Sequence, residues 1–120
     1  MSFFDFNFRT KSVVLDFTQV RFANVVVQMA AVFIRHKSNT HKSLALKIER
    51  AKNVVRGGEA VTLEFTEPEK RLMREYNSNY CGILSDRMKL HDKEASVPDY
   101  PALEAYELST QIQLLFSSIR

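Results

Sequence analysis

Polar and apolar residues alternate twice along the first stretch of the chain. Phe4, Phe6 and Phe8 interleave with Asp5, Asn7 and Arg9, and Val13, Leu15 and Phe17 resume the alternation after the polar break Arg9–Ser12. Period two marks a strand with one buried face. Residues 3–17 therefore read as extended, folded into a hairpin at the polar break. In the competing arrangement the aromatic segment is an arm that docks on a neighbouring subunit.

The period then lengthens to that of helices. Thr18 offers an N-cap for a helix running to about Arg35, and its interior from Val20 to Ile34 is apolar on nearly every side. Such a helix needs cover all round, as the centre of a fold or as part of a subunit interface. The Val25–Val27 triplet favours a strand locally, but the length of the run favours helix. A polar loop, Arg35–Thr40, leads to a second helix from about His41 to Arg56. There Leu44, Ile48, Ala51 and Val55 make one apolar stripe, and Gly57-Gly58 supplies the stop.

Val61, Leu63 and Phe65 alternate with Thr62 and Glu64, predicting a short strand able to pair with the N-terminal ones. Thr66-Glu67-Pro68-Glu69 then spells a capping box with proline in the first turn. The helix it opens runs to about His91, with Leu72, Tyr76, Tyr80, Ile83 and Leu84 on one side. Asn77–Asn79 and Gly82 mark a place for a kink. Asp92–Tyr100 reads as a loop. Pro101 takes the first position of a last helix, where Ala105, Leu108, Ile112, Leu115 and Ile119 form a seam that requires a partner helix, within or between chains. The sum is a mainly α fold of four helices with a minor antiparallel β element, in one domain spanning residues 1–120. The runner-up is an all-α bundle with an extended N-terminal arm.

Composition narrows the function. The chain has 120 residues, 45% hydrophobic and 26% charged, which suits one folded domain and argues against disorder. A single cysteine excludes an intrachain disulfide framework. No run reaches the roughly 20 apolar residues of a membrane span. Met1–Asp5 has no basic start of a secretory signal, so the expected address is the cytoplasm of the producing or host cell, with no membrane partner. The net charge is +3, but residues 9–56 carry +8 and residues 57–120 carry −4. That polarity fits an anionic ligand on the first half, or neutralisation of one half by the other.

Candidate chemistry is sparse. His36 and His41 have the spacing of a zinc-binding pair, but no Cys-x-x-Cys accompanies them, and Cys81 and His91 could join only through the tertiary fold. Cys81 lacks a catalytic signature, and no glycine-rich phosphate loop or nucleophile elbow occurs. The sequence thus predicts no enzyme, no cofactor and no metal. Two readings remain. The first is a homo-oligomeric interaction or regulatory protein, such as an inhibitor, adaptor or ligand sponge, which binds itself and a protein partner. Short motif-free chains of this kind are frequent in phages and mobile elements. The second is an anion binder, for nucleic acid or nucleotide, using Lys42, Lys47, Arg50, Lys52 and Arg56 on the second helix. Phe4, Phe6 and Phe8 beside Arg9 and Lys11 would then be a stacking platform.

Overall fold

The computed structural model describes residues 10–90, 96–97 and 100–117, and the side chains of 10–82 and 103–117 among them. Strand β1 (Thr10–Asp16) leads into helix α1 (Phe17–Phe33), followed by α2 (Asn39–Val54), β2 (Ala60–Thr66) and α3 (Glu67–Leu90). Two short strands, β3 (Ser96–Val97) and β4 (Tyr100–Pro101), precede α4 (Ala102–Ser117). The architecture is mainly α, with four helices and a small antiparallel β element. Among the described residues, no helix is long and apolar enough to cross a membrane.

β1 and β2 pair antiparallel from Thr10 opposite Thr66 to Asp16 opposite Ala60. Val13, Leu15 and Phe65 are buried on the inner face, and Val61 and Leu63 are half-buried beside them. The expected hairpin turn at Arg9–Ser12 is not there, because Thr10, Lys11 and Ser12 belong to β1. Their backbone pairs with β2, and half-buried Lys11 continues the inner row opposite Phe65, as a long aliphatic stem allows. Phe4, Phe6, Phe8 and Arg9 lie outside the described residues.

Each helix start has a side-chain cap. Asp16 begins α1, not Thr18: its carboxylate accepts from the Gln19 N–H at 2.8 Å, and Gln19 Oε1 accepts from the Asp16 N–H at 3.0 Å. Ser38 caps α2 by accepting from the His41 N–H at 3.1 Å, which starts that helix at Asn39 rather than His41. The Thr66–Glu69 capping box forms as the sequence predicts, with Thr66 N–H to Glu69 Oε1 at 2.7 Å and Glu69 N–H to Thr66 Oγ1 at 3.3 Å. Gly58 has φ +85°, a conformation that glycine alone adopts without strain, in the turn between α2 and β2.

The helices close around α1, which touches all three others. Val20, Phe22, Ala23, Val26 and Val27 are buried there, so its first turns find their cover within the chain. The last turn does not, for Val32 and Phe33 are 78% and 79% exposed. The stripe of α2 is buried as predicted. α3 runs unbroken through Asn77–Gly82 and packs along α4. Ala105, Leu108, Ile112 and Phe116 fill that contact, so the seam finds a partner inside the chain. Ile119 and the side chains of Ile83 and Leu84 lie outside the description. β3 and β4 pair where a loop was expected, and Pro101 stands one residue before α4.

Polar groups inside the helix pair are matched. Asn77 Nδ2 donates to the Ser109 carbonyl and to Gln113 Oε1, both at 2.8 Å, and its Oδ1 accepts from Ser109 Oγ at 3.0 Å. Arg74 Nη1 donates to the Phe116 carbonyl at 2.8 Å.

The capping box generates a direct expectation. Thr66→Ala removes the acceptor for the Glu69 N–H and should cost about 1 kcal/mol, read as a lower urea midpoint at unchanged slope.

Candidate functional site

The five cations singled out from sequence do not form one surface. Lys47 is engaged inside the fold. Its Nζ lies 2.6 Å from Glu69 Oε1 and donates to the Glu64 carbonyl at 3.0 Å, and it stands 5.7 Å from the centre of the Phe65 ring. Lys42, Arg50, Lys52 and Arg56 are exposed. On a helix advancing about 100° per residue, Arg50 and Lys52 point roughly 160° apart, and Glu49 falls beside Lys42 in projection. Arg56 lies past the helix end, where its N–H donates to Glu59 Oε1 at 2.7 Å.

Glu69 is the residue that the sequence showed only as half of a cap. It is buried, and besides the Thr66 N–H and Lys47 it accepts from Ser43 Oγ. Burial alone would push its carboxyl up, but the bonds from Lys47, Ser43 and Thr66 outweigh that and hold it below the usual range. One turn away, Glu67 pairs with buried Lys70 at 3.0 Å and lies 3.7 Å from Arg74. The hydrogen bond from Lys70, more than the charges around it, holds Glu67 low as well.

The most enclosed feature is a groove of about 320 Å³ between the C-terminal half of α1 and the middle of α3. Val26, Met29, Ala30, Phe33 and Ile34 form one wall, and Tyr76 and Tyr80 the other, with Glu75 and Asn79 at the polar margin. Behind it, buried His41 places Nδ1 2.7 Å from the Tyr76 hydroxyl. Burial first, and then the charge of Lys37, lowers the His41 pKa from 6.5. Burial, and then Glu75, raises that of Tyr76.

His41 thus faces a tyrosine, while His36 is exposed and His91 lies outside the described residues. Among the described residues, no three His, Cys, Asp or Glu side chains gather as a metal site would require. Cys81 is half-buried and free, on the far side of α3, beside Asn77, Ser109 and Leu114. The chemistry on offer is apolar contact bounded by a few polar groups.

No protein-family model, curated protein or solved structure matches this chain.

Two outcomes follow from these geometries. Lys47→Met leaves the Glu69 carboxylate buried with one partner fewer and should destabilise the fold by about 1–3 kcal/mol in urea melts. His41 resists protonation in the fold more than in the unfolded chain. Its contribution is complete above about pH 6.5 and lost as the pH falls through its lowered folded value. The urea midpoint should therefore drop between about pH 7.5 and about pH 5.5, and drop less in His41→Gln. Glu67 and Glu69 add a second loss below pH 4.5, where their folded values lie.

Proposed function

We propose that this chain is a non-enzymatic, homo-oligomeric interaction protein that acts by contact, as an inhibitor, adaptor or ligand sponge does. The observation that carries the reading is the bare last turn of α1. Val32 and Phe33 are exposed where the apolar groove between α1 and α3 opens, and Met29, Ala30 and Ile34 continue the apolar surface into it. An apolar patch joined to an apolar groove gains free energy when a partner covers it, at about 25 cal/mol per Å² removed from water. Leu103, Tyr106 and Leu114 on α4 add to the exposed apolar area.

Light scattering over a dilution series tests the oligomeric part. A mass above the 13.9 kDa of one chain is expected at micromolar concentration, and the monomer mass throughout would overturn it.

The second reading, an anion or nucleic-acid binder, draws support from Lys42, Arg50, Lys52 and Arg56, which are exposed and make no ion pair among the described residues. Its test leaves Lys47 alone, because Lys47 supports the fold. A Lys42→Glu, Arg50→Glu double variant should lose salt-dependent binding to a generic nucleic acid while keeping its helical spectrum. Equal binding by both proteins would remove α2 from the account.

A further inference from the structure

The two outer edges of the β1–β2 sheet are not alike. In an antiparallel pair each residue turns its N–H and C=O to the same side, and successive residues alternate. The Phe17 N–H donates to the Glu59 carbonyl at 3.1 Å, continuing the register of the pair. Leu15, Val13 and Lys11 therefore bond toward β2, while Thr10, Ser12, Val14 and Asp16 present their backbone groups outward. By the same parity, Ala60, Thr62, Glu64 and Thr66 face outward on β2.

The β2 edge is blocked. Lys47 Nζ occupies the Glu64 carbonyl, and Glu69 takes the Thr66 N–H. A lysine laid on an edge strand is a usual device against strand addition. On β1 the Asp16 N–H is taken by Gln19. The N–H and C=O groups of Ser12 and Val14 have no hydrogen-bond partner among the described residues. The Ser12 side chain is exposed and that of Val14 is 54% exposed. No lysine or proline stands at an outward position of this strand.

A second observation indicates what covers this edge. α4, which touches β1, carries two apolar stripes. Ala105, Leu108, Ile112 and Phe116 face the core, and Leu103, Tyr106 and Leu114 lie on the opposite face at 60%, 41% and 65% exposure. A foreign extended peptide would use the edge and leave that stripe bare. A second copy brings both a matching edge and a matching stripe, and a twofold axis makes each complementary to itself.

We propose that two copies of this chain pair antiparallel through the free edges of β1, making a sheet in the order β2–β1–β1–β2, with the outer stripes of α4 closing against each other. The proposal rests on the homo-oligomeric reading above and names its interface. In the register centred on Val13, Ser12 of each copy faces Val14 of the other and all the free groups of both residues are bonded.

The test uses the whole chain with Val14→Pro, which removes an outward N–H that the β1–β2 ladder does not use, at the kind of edge position where proline is tolerated. Val14→Lys is the second variant, should proline prevent folding. Circular dichroism melts check the fold. Light scattering should show a dimer in the wild type, with the concentration for half-association raised at least about tenfold in either variant. The Ser12 and Val14 amides should exchange more slowly as protein concentration rises. A wild-type dimer indifferent to both variants, with these amides exchanging freely, would overturn the interface and leave self-association standing. A dimer dispersed by Phe33→Asp instead would do the same. A monomeric wild type would overturn both, and slow exchange independent of concentration would mean that the chain covers its own edge.

Discussion

The fold turns on one buried carboxylate. Glu69 gathers Ser43 and Lys47 from α2 and the Thr66 N–H from the junction of β2 with α3. A lone carboxylate in that position would be costly, so its partners must be in place for the elements to close together. That one group fixes where α3 begins, how α2 lies across it, and where β2 ends. The same lysine that neutralises it also reaches the Glu64 carbonyl. One side chain therefore serves the interior and the rim of the sheet at once, which explains why an exposed-looking cation contributes little to an anion-binding surface.

Above this polar junction the apolar elements sort by depth. α1 is central for its first turns because β1, α2, α3 and α4 all reach it. Its final turn outruns them, which leaves Val32 and Phe33 in water beside a groove that the helices outline without filling. Sequence periodicity marked the whole of Val20–Ile34 as needing cover. The chain itself covers the first part, and the remainder is what the interaction reading rests on.

Elements with strong local physics were legible in advance. The alternation in Val61–Phe65, the Thr66–Glu69 box and the stripe from Leu44 to Val55 each state a local preference that the packing keeps. Boundaries that depend on a competing local bond were less legible. Asp16 outcompetes Thr18 as a cap because Gln19 completes the reciprocal pair, and Asp-x-x-Gln was there to be seen. The turn expected at Arg9–Ser12 failed for a non-local reason: β2, more than forty residues away, supplies the backbone partners that make Thr10–Ser12 a strand. The groove and the charge layout were beyond reach for the same reason. Which lysine meets Glu69, or which tyrosine meets His41, depends on helix crossings that no window of sequence encodes.

The polar contact buried between α3 and α4 bears on how that pair can move. Apolar helices in contact slide cheaply, because leucine against isoleucine is nearly as good one turn away. Asn77 forbids this. Its amide satisfies two acceptors and one donor on α4 at a single alignment, and a slip of one turn, about 5.4 Å, would strand all three. The pair is held as a bolt holds a door, so rearrangement of these two helices must proceed by separation and not by gliding.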